Sequence, residues 1–352
     1  MIKSFRSKKI GLFSDIHIGY GQDSTLWHDN ILTFGKWASD KFENLGISEI
    51  MITGDIFHNR SDISVKTLDI AKQFFDMFKE FQLIISTGNH DAWYRDSSEI
   101  HSLSIFKEWQ NITIIDSEPK LFGTLVDKVV SIIPWGTKLE DFPTSDICFS
   151  HLDIKSFYQN NYHVCEKGFE SADLFKKSKF IVSGHFHKKD YREYSSGKIM
   201  YVGSPFQMNF GECGDERGIY TFNLEDESFD FIENEVSSVH KKIKVSDITK
   251  KKIGAEELKN SIPDNIIRLI VDQKITPDIH SILVSKIQKY EPKNLTIEFE
   301  LLDSVGDSLP TDGDVGDVSD LSQFLDDYVE AMDTPNKEDL KDYLNDVFNS
   351  LK

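Results

Sequence analysis

The chain has 352 residues, 39% apolar and 12% aromatic, with no run of about 18 apolar residues and three scattered cysteines; that composition supports a large core and excludes a helical membrane span and a cysteine zinc cage. Cys148, Cys165 and Cys213 fit a reducing, cytoplasmic setting, and the basic start "MIKSFRSKKIGLF" lacks the long apolar region and cleavage site of a signal peptide. The net charge of −19 argues against a nucleic-acid ligand only until its distribution is read: residues 303–352 hold 14 Asp/Glu and 3 Lys, which leaves −8 on the first 302.

In chain order, residues 9–240 read as strands alternating with helices. "KIGLFS" is an apolar run that leads into Asp15-Ile16-His17. Residues 24–44 then carry Leu26, Ile31, Leu32 and Trp37 at roughly helical spacing. "ISEIMITG" leads into Asp55, and residues 64–80 return to the helical pattern with Val65, Leu68, Ala71, Phe75 and Phe78. "FQLIISTG" leads into Asn89-His90-Asp91. "DSSEIHSLSIFKEW" predicts a helix opened by a capping box, with Asp96 as cap and Glu99 three residues on. "VVSIIPW", "DICFSH" and "KFIVSGH" are further strands, the last two ending at His151 and at His185-Phe186-His187. "GIYTFNLEDESFDFIEN" predicts a closing hairpin. This alternation predicts a layered α/β fold with largely buried strands.

Beyond residue 240 the pattern changes. "KKIKVSDIT", "IIRLIVDQ" and "NLTIEFELL", with helical stretches between them, predict a small β-α-β-α-β unit over 241–302. Residues 303–320 are Gly/Asp-rich and poor in large apolar side chains, which predicts a flexible acidic linker. Over 321–352, Leu321, Phe324, Leu325, Tyr328 and Val329 form one apolar stripe, and Leu340, Tyr343, Leu344, Val347 and Phe348 another. A helical pair beyond such a linker either folds back on the body or docks on another protein.

The chemistry lies at the strand exits. Five segments share one order: an apolar run, a small residue, then a metal-type ligand. In open α/β sheets the carboxyl ends of strands converge on one crevice, so these residues are expected to meet. Asp15, His17, Asp55, Asn89, His151, His185 and His187 mix hard oxygen with imidazole and no thiolate, a set that suits Mn²⁺, Fe²⁺ or Zn²⁺. Seven ligands exceed one tetrahedral ion and suit two ions about 3.5–4 Å apart bridged by a carboxylate, a device for hydrolysing phosphate esters. Each motif alone is weak; a lone D-x-H is background, and only the five in order are specific. The remaining histidines, His28, His101, His163, His240 and His280, read as surface residues. Trp93, Tyr94 and Arg95 read as a packed loop or a DNA contact, and Lys188, Lys189 and Arg192 as a solvated face or phosphate contacts.

"DIH", "GDIFH", "GNHD", "SH" and "GHFH" resemble the calcineurin-like metallophosphoesterases. Within that family, the trailing His58 of "GDIFHNR" and the segment "YVGSPFQMNFGECGDERGIY" are similar to the nuclease subunits of SbcCD-type double-strand-break repair complexes, those of T-even phages included. The resemblance implies an α-β-β-α layered nuclease domain over 1–240, a capping domain over 241–302 and a partner-binding helical segment over 321–352. It implies Asp15, His17 and His187 on one metal, Asn89, His151 and His185 on the other, and Asp55 as the bridge. His90 would be the general acid, His58 its support, and Asp91 an acceptor orienting an imidazole. Mn²⁺ is the first expectation for both ions, with Fe²⁺, Mg²⁺ and Zn²⁺ as alternatives. The implied activity is exonuclease on duplex ends and endonuclease on single strands, in DNA replication, recombination and repair. The implied partners are DNA, a coiled-coil ATPase of the SbcC type and a second copy of the chain. A phosphoesterase acting on nucleotides or phosphoproteins is the rival, and a scaffold with a vestigial site the third reading.

Overall fold

The computed structural model describes residues 3–300. The expected linker at 303–320 and helical segment at 321–352 lie outside the described residues.

Two sheets face each other. One has six strands, in the order Phe229–Glu233, Gly218–Asn223, Lys9–Phe13, Glu49–Ile52, Gln82–Ser86 and Ile112–Ile115. The other has seven, in the order Lys3–Ser4, Lys120–Gly123, Val129–Ile133, Ser145–His151, Ser178–Gly184, Gly197–Tyr201 and Asp190–Tyr194. Their central strands run parallel. The predicted hairpin forms at the edge of the six-stranded sheet, pairing antiparallel within itself and with Lys9–Phe13.

Successive side chains of a strand point to opposite faces, and here both faces are apolar. Leu12, Met51 and Ile84 enter the layer between the sheets, where they meet Val130, Phe149, Phe180 and Val182. Their neighbours Phe13, Ile52 and Ile85 turn outward, under Phe34, Phe42, Phe74 and Phe78 from the helices Thr25–Asn44 and Val65–Asp76 and the turn that follows. Ser64 starts the second helix by accepting a hydrogen bond from the Thr67 amide. The outer face of the seven-stranded sheet has a thinner cover, made by the loop side chains Leu152, Ile154 and Phe157 and the one-turn helix Ser171–Leu174.

The helix expected from Asp96 is replaced by a loop and a short 3₁₀ turn, Ser102–Phe106. The competing bonds explain this. Ser98 Oγ donates to the Trp135 carbonyl and Trp135 Nε1 to the Arg95 carbonyl, both at 2.7 Å, while Ala92 bridges to His101. Residues 96–101 are thereby tied down in a non-helical path, and Ser97 Oγ rather than Asp96 accepts from the Glu99 amide.

A third sheet is fully parallel: His240–Lys244, Ile266–Val271 and Asn294–Phe299, joined through helices that include Ala255–Ser261 and Pro277–Gln288. This is the predicted β-α-β-α-β order, with its own core of Ile243, Ile267, Leu269, Leu283 and Ile287. It seats on the body through Ile266, which joins the helix-side core, and through the Ser238 amide donating to Asn30 Oδ1 at 2.9 Å.

Candidate metal centre

All five strand exits open on the same end of the two facing sheets. Asp15 and His17, Asp55, and Asn89 to Asp91 follow three neighbouring strands of one sheet; His151, and His185 with His187, end two neighbouring strands of the other. The backbone there is unusual. Asp15, His17, Asp55 and His185 have φ of 57°, 52°, 53° and 92°, a left-handed region that side-chain-bearing residues rarely adopt. Parallel pairing continued past the strand ends holds it: Asp15 N donates to Gly54 O and His17 N to Asp55 O, each at 3.1 Å. The small residues before the ligands permit close approach. A Cβ on Gly88 would land on the Asp55 carboxylate, and one on Gly54 would lie 2.6 Å from His151 Nδ1.

The seven side chains meet in two groups. Ligand atoms of Asp15, His17 and His187 lie within 4.8 Å of one another, as do those of Asp55, His151 and His185. Asn89 Oδ1 faces His185 Nδ1 at 2.8 Å and His151 Nε2 at 3.0 Å, which attaches it to the second group. Asp55 lies between the groups, its Oδ2 3.3 Å from His151 Nε2 and 3.6 Å from His17 Nε2. His17 and His187 present their Nε2 atoms to each other at 3.0 Å.

The outward nitrogens are occupied. His151 Nδ1 donates to the Thr53 carbonyl at 2.7 Å, His185 Nε2 faces Asp153 Oδ1 at 2.9 Å, and His187 Nδ1 faces Glu212 Oε1 at 3.4 Å. Each of these rings therefore turns its other nitrogen inward, the arrangement that orients metal-bound imidazoles. Converging acceptor atoms, oriented rings and the absence of thiolate fit a pair of borderline divalent cations.

Burial and charge oppose each other here. Burial raises the Asp55 carboxyl, but the His151 ring and then His17 and His90 overcome it and hold Asp55 well below the usual carboxylate range. Burial lowers His151, yet the Asp55 charge carries it up to about 9. At His17 burial, joined by the neighbouring His187, His90 and His58 rings, outweighs Asp55 and holds that ring well below its ordinary value.

Asp91 departs from expectation. Instead of orienting an imidazole, its carboxylate accepts from the amides of Ile56 and Phe57, each at 3.0 Å, and of Gly88 at 2.9 Å. It ties the Asp55 loop to the Asn89 loop, and burial followed by the Asp55 charge raises it to about 7. His90 lies against the first group. Its ring is 4.8 Å from that of His17 and stacks on His58 at 5.2 Å, and its Nδ1 donates to the His58 carbonyl at 2.6 Å. His58 thus holds His90 through its backbone and ring face. Burial, with His90 beside it, pushes the His58 imidazole down to about 4.

The histidines read as surface residues divide. His28, His101 and His240 are buried, His101 against Asp116 at 3.1 Å, whereas His163 is exposed and His280 half-buried. Trp93 and Tyr94, just after the Asn89–Asp91 segment in the chain, are about half-exposed. Lys189 and Arg192 pair with Glu216 and Asp190, and Lys188 donates to Asn161 Oδ1.

Asp153 and Glu212 went unnoticed in the sequence. Asp153 stands two residues after His151, which was a usable signal; Glu212 is reached only through the fold. Replacing Asp153 by alanine frees the outer nitrogen of His185. We expect Mn²⁺ affinity to fall about 10–100-fold, measured by titration calorimetry, with the far-UV circular dichroism unchanged.

Residues 8–189 match the family model for the calcineurin-like phosphoesterases. The chain is 25% identical over 362 aligned positions to Exonuclease subunit 1 of Enterobacteria phage T4, covering 97% of this chain and 98% of that one. It is 26% identical over 209 positions to an uncharacterized protein of Acanthamoeba polyphaga mimivirus, covering 53% of this chain and only 15% of that relative. A solved archaeal phosphodiesterase is 16% identical, covers 64% of this chain and 99% of its own, and superposes with a TM-score of 0.36. No helix among the described residues is long and apolar enough to cross a membrane. The family match spans every one of the seven gathered side chains, and this chain belongs to the calcineurin-like phosphoesterases, metal-dependent hydrolases of phosphate esters.

Proposed function

We propose that this chain is a DNA nuclease, an exonuclease on duplex ends and an endonuclease on single strands, working in replication, recombination and double-strand-break repair. The observation that carries the reading is the convergence of seven ligand side chains from five strand exits in a chain related over nearly its whole length to a phage exonuclease subunit. Asp15, His17 and His187 are assigned to one ion and Asn89, His151 and His185 to the other, with Asp55 shared. Bound divalent ions, Mn²⁺ first, would supply a water of lowered pKa and neutralise the charge that builds on phosphorus. The protein's part is placement. Asp91 fixes the two loops that carry Asp55 and Asn89. His90, with Nδ1 committed to the His58 carbonyl, keeps Nε2 to give a proton to the leaving oxygen.

The relative's description as a subunit supports a partner, which we assign as a coiled-coil ATPase of the SbcC type, engaged by the segment 321–352 and by 241–302 as a capping unit. A second copy of the chain completes the assembly, in the cytoplasm of the cell. The test uses the full chain with Mn²⁺ and three substrates: end-labelled DNA, bis(p-nitrophenyl) phosphate and p-nitrophenyl phosphate. DNA and the diester should be hydrolysed, EDTA should stop both, and Mn²⁺ should restore both. Turnover of the monoester with DNA left intact, alone and with the ATPase, would reassign the chain to phosphatase chemistry.

A further inference from the structure

A second cleft, of about 670 Å³, opens where the body meets the three-stranded sheet. Tyr20, Trp27 and Phe210 line it from the body, and His240, Lys293 and Asn294 from the third sheet. The volume lies within the usual range for small-ligand sites, roughly 300–1,000 Å³. Its walls are aromatic and mutually braced: Tyr20 meets Trp27 edge-on at 5.0 Å, the Trp27 and His240 rings lie 26° from parallel at 5.8 Å, and Phe210 meets His240 edge-on at 4.7 Å.

The cleft shares a wall with the metal centre. His58 lines it, and the same ring packs edge-on against Tyr20 at 4.9 Å. A ring nitrogen of His58 lies within 4.8 Å of ring nitrogens of His17 and His90. A group bound in the cleft would therefore be a near neighbour of a phosphate held at the centre.

The lining states what the group should be. Trp27 is covered by the rings of His240 and Phe206, so the partly exposed rings of Tyr20 and Phe210 are the aromatic surfaces left to receive a flat ring. His240 is 95% buried, yet its Nδ1 has no hydrogen-bond partner among the described residues. That nitrogen is enclosed by protein, so the polar contacts open to a ligand are those at the mouth of the cleft. Lys293 and Asn294 at the mouth add a cation and an amide for a phosphate or base edge. An aliphatic occupant would satisfy the rings but leave Lys293 and Asn294 unused.

We propose that this cleft takes an unstacked nucleobase of the strand being cut, adjacent to the scissile phosphate, held against the partly exposed rings of Tyr20 and Phe210 with Lys293 and Asn294 on its polar edge. The inference rests on the nuclease reading. It gives that reading a substrate rule: the base beside the cut must leave its stack, which is easiest in single strands and at frayed ends.

The experiment scans one abasic residue through the positions flanking the cut in an otherwise fixed oligonucleotide. Each kcat/KM is expressed relative to the intact oligonucleotide for the same enzyme preparation, and bis(p-nitrophenyl) phosphate, which lacks a base, reports on the centre itself. In the unaltered protein, base removal at one position should lower kcat/KM by about tenfold or more. In Tyr20→Ala and in Asn294→Ala, which removes an exposed amide from the cleft, that ratio should shrink toward one. Cleavage indifferent to base removal at every position overturns the cleft's role and leaves the nuclease reading standing, as does a penalty undiminished in both variants. Turnover of the simple diester without any cut DNA overturns the nuclease reading, and the cleft's role falls with it.

Discussion

Asp55→Ala is expected to remove bound metal and hydrolysis together. One carboxylate oxygen stands 3.3 Å from His151 Nε2 and 3.6 Å from His17 Nε2, so it faces both ligand groups at once. The other oxygen accepts the His90 amide at 2.8 Å. Alanine deletes the shared acceptor and leaves four imidazoles facing one another around Asp15 and Asn89. Divalent ions held on neutral rings without a common anion are weakly bound. Metal content by elemental analysis should fall from two ions per chain to near zero, and diester hydrolysis should fall at least about a thousandfold. Asp55→Asn sharpens the test. The amide keeps the volume and can keep the bond from the His90 amide, so the loop stays in place while the charge is lost. The same loss of metal in Asp55→Asn assigns the effect to charge. Full metal retention in either variant would remove Asp55 from its position between the ions and undo the two-ion assignment.

The convergence of these seven side chains was legible for a physical reason. Asp15, Asp55, Asn89 and His185 each follow a strand buried on both faces, whose unbroken apolar run is visible without a structure. A small residue then a polar one marks the exit, and the parallel order of the strands brings the exits to one end. The third sheet was legible likewise, because its strands and crossover helices alternate with little interruption. What stayed hidden depends on contacts between remote segments. Whether His240 is buried is decided by Trp27 and Phe210, the first of them more than 200 residues away, and nothing near "SVHKK" announces it. Asp91 sits in a recognisable motif, yet its partners are backbone amides of another loop, which carry no side-chain signal. The helix expected at Asp96 had a valid local cap and lost to bonds with Trp135, again a remote partner.

His90→Ala should separate metal binding from proton delivery. The His90 amide, which is independent of its side chain, donates to Asp55 and keeps the Asn89 loop seated. The ring touches the first ligand group by packing against His17 and occupies neither of the two assigned ligand sets. Its Nδ1–H is spent on the His58 carbonyl at 2.6 Å, so Nε2 is the atom left to carry a proton. His58 is a poor substitute, because burial and the neighbouring His90 keep its imidazole near a pKa of about 4 and hence neutral at physiological pH. The variant should keep two ions per chain by elemental analysis and keep its thermal midpoint, while DNA cleavage falls by about 10²–10⁴-fold, the usual worth of a placed general acid. The leaving group decides whether the role is protonation. A deoxyribose alkoxide needs a proton as it departs, whereas p-nitrophenolate does not. The loss should therefore be far smaller on bis(p-nitrophenyl) phosphate than on DNA. Equal losses on both substrates would make His90 a positioning residue for His17 and leave the leaving oxygen to be protonated by solvent.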